Sequence, residues 1–374
     1  MASYESRVVW ALIEIEELME SVIYWLAQRY DSSSGGFFYA QSSEHVNVKI
    51  PDIESTAQAL NILERYDLLS GMPDDVRQQL IGFFQMKQQD TGYFLDDNPM
   101  MAEDDVMVAR ALSYSLGALK KLGGKPLHRL PNTAGALPSY MKTPEAYGEW
   151  LRSVSLSNSW RGCDRLCVSG VYIKQLTEEK RPMYLHEAFS YFASIQDPVT
   201  GLWGQGNDYV KISGTFKLFT FYQQFQRQLP NEGAIYQSVM KTLTEKPAKD
   251  MCYVRNSVNL LAAMEREIEL PDVTIVLEAI GLQLKRLKQK DGGFSREISG
   301  SLPAPNVGQV KKEEKYSELP QPVILGAGLM EGDMNATTQA VLIHRLCYQL
   351  AKRPFPFAKM AGVPFYSLIK SKEA

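Results

Sequence analysis

Helical periodicity dominates the pattern of apolar and polar positions. Stretches such as Tyr184 to Gln196 and Val276 to Lys290 are amphipathic at the helical repeat. Four such stretches end in the same punctuation: Asp31-SSS-Gly35-Gly36-Phe37, Asp90-Thr91-Gly92-Tyr93-Phe94, Asp197-PVT-Gly201-Leu202-Trp203 and Asp291-Gly292-Gly293-Phe294. Each is an acidic turn, a glycine and an aromatic. Glycine takes the left-handed conformation that ends a helix, and the aromatic is expected to tuck back between neighbouring hairpins. The marks recur at one or two units of roughly 50 residues, the signature of a repeat architecture.

After each turn a second helix is expected, opened by aspartate. Asp52 precedes IESTAQALNILERY, Asp104 and Asp105 precede VMVARALSYSLGALKKL, Asp208 precedes YVKISGTFKLFTFY, and Asp333 precedes MNATTQAVLIHRLCYQL. Two repeats lack the glycine turn but keep the second helix, one containing Asp164 and one beginning at Asp250. Aspartate at a helix start accepts backbone N–H bonds and complements the dipole. First helices are expected near 8–29, 74–88, 144–155, 182–196, 231–244 and 272–290. Second helices are expected near 52–68, 103–122, 160–176, 208–227, 250–267 and 333–351. The second set is more apolar and richer in small residues, which lets helices crowd round an axis, so it is placed inside. The fold class that follows is all-α, an (α/α)6 barrel or toroid of six helical hairpins. A linear solenoid is the alternative.

Two segments break the period. Residues 124–143 form a Pro/Gly-rich loop, and residues 295–331 form a long insertion read either as a lid or as a surface excursion. The apolar tail at 352–374 is expected to close the seam of a single domain spanning 1–374. A net charge of −3 with scattered Lys and Arg gives no electrostatic case for nucleic acid. Cys163, Cys167, Cys252 and Cys347 are too few and too dispersed for a disulfide framework. Glu5, Glu14, Glu16 and Glu17 do not fit a signal peptide, and no stretch is apolar enough to span a membrane. A cytoplasmic location is expected.

The glycine-aromatic turns, each followed by an Asp-started inner helix, resemble the toroid of terpenoid cyclases and protein prenyltransferase β subunits over roughly residues 8 to 351. Gly201-Leu202-Trp203-Gly204 is also similar to turns of sugar-acting (α/α)6 enzymes. The prenyltransferase resemblance implies zinc held by an Asp-x-Cys pair and a His on the next inner helix. Asp250-Met251-Cys252-Tyr253 matches the first piece, but Ala336 stands at the His position. No zinc, and no other cofactor, is therefore expected. The Asp-x-Asp-Asp acid of class II cyclases is absent; its nearest counterpart is Asp96-Asp97-NPMMA-Glu103-Asp104-Asp105. The Asp-Asp-x-x-Asp of class I cyclases is absent too.

If the hairpins run up and down, all inner-helix starts face one mouth of the ring. Crowded carboxylates raise one another's pKa, which suits a general acid. Asp104, Asp105, Asp250 and Asp333 are the candidate catalytic residues, with Asp104 or Asp105 as proton donor. Asp52, Asp208, Trp160, Trp203, Tyr209 and Tyr253 are candidate substrate-binding residues, the aromatics stabilising positive charge through their π faces or stacking on sugars. Each aspartate taken alone reads as a cap. The expected function is a terpenoid cyclase- or prenyltransferase-like enzyme acting on a small isoprenoid or similar apolar substrate by acid-initiated chemistry. The alternatives are a carbohydrate hydrolase, lyase or epimerase, and a non-catalytic binding toroid.

Overall fold

Outer and inner helices alternate along the chain. Helices α1 (Tyr4–Met19) and α2 (Val22–Arg29) lead to α3 (Ile53–Arg65), and α4 (Asp74–Met86) leads to α5 (Asp105–Leu122). The next pairs are α6 (Pro144–Ser153) with α7 (Ser159–Gln175), and α8 (Arg181–Ser194) with α9 (Asp208–Gln224). They are followed by α10 (Glu232–Glu245) with α11 (Met251–Ala263), α12 (Leu270–Leu287) with α13 (Met334–Leu350), and a short α14 (Phe365–Lys370). The computed structural model describes residues 3–45, 51–97, 101–102, 105–131, 137–304, 323–357 and 364–370. Among these the one sheet is a two-residue pair, Tyr30–Asp31 against Gly36–Phe37.

The fold is all-α and toroidal. Inner helices pack α7 on α9, α9 on α11, α11 on α13, and α13 back onto α3, which packs on α5. The return of α13 to α3 rules out an open solenoid. Among the described residues, α5 and α7 approach less closely than any other adjacent inner pair. Outside, α12 packs between α1 and α10, and α6 packs on α8. Close approach of the inner helices depends on small residues: a Cβ on Gly214 of α9 would lie 2.0 Å from Ser159 Oγ of α7.

The repeated turn has one geometry. Gln88, Gln196 and Lys288, at the ends of α4, α8 and α12, each form an antiparallel bridge to the aromatic, Phe94, Trp203 or Phe294. Tyr30 pairs with Phe37 in the same way. The four aromatics are almost fully buried. The glycine is required: Gly92 has φ +88°, and a Cβ there would meet Arg129 O at 2.2 Å. The first hairpin departs from the expected single helix, since α1 and α2 part at Glu20–Ser21. There Ser21 Oγ donates to Gly292 O and accepts from Lys288 Nζ, so the break lets the chain follow the α12 turn.

The flanks of the 295–331 insertion are built into the ring. Ser42 donates through N and Oγ to Glu331, and Ser43 Oγ donates to Leu325 O at 2.6 Å. Its middle, with the KKEEK run, lies outside the described residues. The tail packs across the α3–α13 junction, with Phe355 between Tyr66 and His344 and Tyr366 Oη donating to Leu68 O.

Candidate functional site

Three inner helices start as aspartate-capped helices should. Asp52 Oδ1 accepts from Ser55 N at 2.8 Å, Asp250 Oδ1 from Cys252 N at 2.7 Å, and Asp333 Oδ1 from Ala336 N at 2.7 Å. Two do not. Helix α7 is capped by Asn158 and α9 by Asn207, each through its side-chain oxygen. Asp208 is already inside α9, a third exposed and bonded to Lys246. That bond holds its carboxyl below the usual range. Asp164 lies within α7 and pairs with Lys217 at 2.7 Å. The uniformly acidic rim expected from sequence is therefore confined, among the described caps, to α3, α11 and α13. An asparagine oxygen satisfies the same N–H groups without charge. Asp104 lies outside the described residues, and Asp105 opens α5 with its side chain outside them.

Asp250 and Asp333 are joined through the insertion. Arg296 Nε donates to both oxygens of Asp250 at 2.8 Å, and Arg296 N donates to Asp333 Oδ2 at 2.7 Å. Met251 N returns a bond to Arg296 O at 2.9 Å. Burial works against the charge of Arg296, but Asp250 overrides it and raises the guanidinium pKa. Burial pushes Asp333 up to about 7, against the N–H groups of Ala336 and Arg296. Both aspartates have 0% exposure. Neither carboxyl has surface in this structure, and both are engaged by Arg296. They fix Arg296 and the base of the insertion between α11 and α13.

A second buried carboxyl pair sits at the start of α3. Asp96 accepts from Ile53 N through both oxygens, at 3.0 and 3.1 Å, one residue after the Asp52 cap. Burial pushes Asp52 up to about 6, and burial with the nearby Asp52 charge pushes Asp96 up to about 7. Lys87 stands 3.6 Å from Asp96 and 2.5 Å from Asp97, a weak counterweight to two carboxyls.

Below this mouth α3 turns a polar stripe, Glu54, Gln58, Asn61 and Arg65, along one face. Glu54 Oε1 accepts from Arg110 of α5 and from Gln58 Nε2 at 3.0 Å, with Tyr114 Oη at 3.5 Å. Burial alone would lower the pKa of Arg110; Glu54 raises it. Arg65 Nη1 donates to Thr338 O and Oγ1 of α13 at 2.9 and 2.8 Å. Arg255 of α11 donates to Gln339 Oε1 at 3.4 Å and lies 4.7 Å from the Phe216 ring of α9. Tyr39 adjoins the α13 start, its carbonyl accepting from Met334 N at 2.7 Å. Among the described residues, Tyr39 Oη, Glu54 Oε2 and Arg296 Nη2 are buried with no hydrogen-bond partner. Orphaned polar atoms are costly in a core and mark places where something other than packing is selected.

The aromatic candidates divide. Tyr253 stacks on Tyr209 at 5.3 Å and 8°, with Trp160 edge-on at 6.2 Å, a wedge joining α7, α9 and α11. Tyr209 Oη donates to Lys246 O at 2.6 Å, which fixes the stack. Trp203 is fully buried beside α8, its Nε1 donating to Phe192 O at 2.8 Å, so its ring has no face to offer a ligand. All four cysteines are free and buried. Among the described residues no three His, Cys, Asp or Glu side chains gather as a metal-ligating group, and no helix is long and apolar enough to cross a membrane.

Sequence reasoning missed Glu54, Arg65, Arg110, Arg255 and Arg296. One signal was available: Glu54, Gln58, Asn61 and Arg65 recur at each turn along one face of α3. Arg296 had none, because its partners come from α11 and α13, far apart in sequence.

The class defined by these features is an all-α toroid with a charged mouth at three inner-helix starts. No family model matches the chain, and no curated protein matches it in sequence. Among solved structures it is similar to a protein from Actinoplanes, at 12% identity and TM-score 0.41, over 90% of this chain and 99% of the other. It is also similar to type II terpene cyclase MstE from Scytonema. The apo structure gives 15% identity and TM-score 0.41, over 91% of this chain and 99% of the other. A variant in complex with geranylgeranyl dihydroxybenzoate gives 14% and 0.43, with the same coverage.

Proposed function

We propose that the protein is a terpenoid cyclase-like enzyme that takes an isoprenoid or similar apolar-tailed small molecule into the mouth formed by α3, α5, α11 and α13, and starts its chemistry by proton donation. The observation that carries this reading is the buried Asp52–Asp96 pair on the first turn of α3. Two carboxyls held together out of water do not both ionise near neutral pH, so one keeps a proton to give. Asp104 and Asp105, the donors expected from sequence, remain candidates for the same step. Transfer of the proton to an alkene forms one C–H bond and leaves a carbocation. The π faces of Tyr114 and Phe216 stabilise such a charge, and loss of a proton from a neighbouring carbon completes the balance. Trp160, Tyr209 and Tyr253 support the wall opposite.

The test is incubation with linear polyprenyl substrates in deuterated water. A cyclised product carrying one added deuterium is expected, and neither Asp52→Asn nor Asp96→Asn should form it. Failure to convert any polyprenyl substrate would remove the reading. The polar stripe of α3 favours a second one, a carbohydrate-active barrel, because Glu54, Gln58 and Asn61 suit hydroxyl groups better than hydrocarbon. Release of reducing sugar from an oligosaccharide, lost on Glu54→Gln, would establish it instead.

A further inference from the structure

We propose that the bore of the ring holds an oxyanion, a carboxylate or phosphate headgroup, between Arg65 of α3 and Arg255 of α11. The two guanidinium groups reach adjacent residues of α13 from opposite sides, Arg65 to Thr338 and Arg255 to Gln339. Among the described residues neither has a carboxylate within ion-pair distance. Three nearby cations of the inner helices and the insertion are matched, Arg110 to Glu54, Arg296 to Asp250 and Lys217 to Asp164. Arg65 and Arg255, both partly buried, therefore bring two positive charges without a carboxylate to neighbouring residues of α13.

A stability role does not account for this arrangement. Burial, with repulsion from Arg345 and Arg255 and against the attraction of Glu64, lowers the pKa of Arg65 to about 10. Burial lowers that of Arg255 as well. Arg65 uses Nη1 alone in its hydrogen bonds to α13, and Arg255 bonds through Nε to Gln339 and also to the Cys252 side chain, which leaves donor capacity on both forks. A planar or tetrahedral oxyanion accepts from such forks in pairs. Phe216 stacks under Arg255 and Tyr114 stands nearby on α5, so an apolar portion attached to the oxyanion meets aromatic walls. Gln339 and Asn335, bonded to each other at 2.8 Å, set the orientation of Arg255 from the α13 side.

The inference rests on the small-molecule reading above and names the headgroup of its ligand. Its test is calorimetric titration of the full chain with three probes: inorganic pyrophosphate, decanoate and neutral farnesol. Binding of pyrophosphate or decanoate is expected, with the stronger of the two identifying phosphate or carboxylate. Arg65→Gln and Arg255→Gln should each weaken that binding by about ten-fold or more, the scale of one charge-assisted bond. Arg255→Lys, which keeps charge but loses the fork, should fall between. Thermal melts of the Gln variants should stay level or rise, because each removes an unpaired buried charge. Lys285→Gln, on the outer surface, should bind as the unsubstituted chain does. Farnesol bound with both anions rejected would overturn the inference and leave the apolar-substrate reading standing. Pyrophosphate bound with decanoate and farnesol both rejected would keep the inference and remove the apolar-substrate reading. Equal anion binding by the Gln variants, or variants that unfold while Arg255→Lys does not restore binding, would also overturn it.

Discussion

The two sides of the ring start their inner helices with different chemistry. On α7 and α9 the caps are Asn158 and Asn207, which bond the first turns of their own helices. On α3, α11 and α13 the caps are aspartates, and each is tied to something else: Asp52 lies beside Asp96 and Lys87, and Asp250 and Asp333 share Arg296. Capping alone does not require the charge, since asparagine serves as well. Burying a carboxylate costs desolvation that only a well-placed cation offsets. The charged side therefore carries an electrostatic constraint, with the carboxyls of Asp52, Asp250 and Asp333 all buried on it.

The sharpest way to break this comparison is Asp250→Ala. Arg296, 2% exposed, would be left buried without its partner, at a cost of about 3–5 kcal/mol. Denaturant unfolding of the variant checks it. A loss no larger than that of a simple cap would remove the distinction between the two sides.

The next effect is pH dependence, and the two sides should respond with opposite sign. The pKa values of Asp52, Asp96 and Asp333 are raised in the fold. The stability they contribute is fully present below the ordinary carboxylate range and is lost as the pH rises through about 6 and 7. Asp208, held low by Lys246, contributes stability present above the ordinary carboxylate pKa and lost as the pH falls. Melting temperatures from weakly acidic to weakly alkaline pH should therefore fall less steeply in Asp52→Asn and in Asp96→Asn than in the unsubstituted chain. An unchanged slope would show that these carboxyls titrate as they do in water.

Helix periodicity and the glycine-aromatic turn made the architecture legible, because both are local. Gly35, Gly92, Gly201 and Gly292 all adopt positive φ, and the residues that follow pack as the pattern implies. The site was legible in part. Asp52, Asp250 and Asp333 were visible as helix starts, but whether such a residue is a bare cap or half of a buried ion pair depends on Arg296 and Asp96, which arrive from other segments. The Asn caps were hidden by a neighbour: Asp208 follows Asn207, and in sequence either could be the cap. Trp203 shares its motif with Phe37, Phe94 and Phe294, and that shared turn, rather than any ligand, explains its burial.

Smaller effects test the neutral side. Asn207→Ala should cost about 1 kcal/mol, the value of one cap, read from the same unfolding curves. Asp208→Asn should cost less than about 1 kcal/mol, because the pair with Lys246 is largely in water. A loss at Asn207 or Asp208 as large as that at Asp250 would place hidden constraint on α9 as well.

The central claim is that ligand binds on the charged side of the ring. Hydrogen exchange measured with and without saturating polyprenyl ligand tests it most directly. The account predicts added protection in the first turns of α3, α11 and α13, along the facing side of α5 and around Phe216 of α9, with α7 and α8 unchanged. Protection centred on α7 and α9, or spread evenly over all six inner helices, would contradict it.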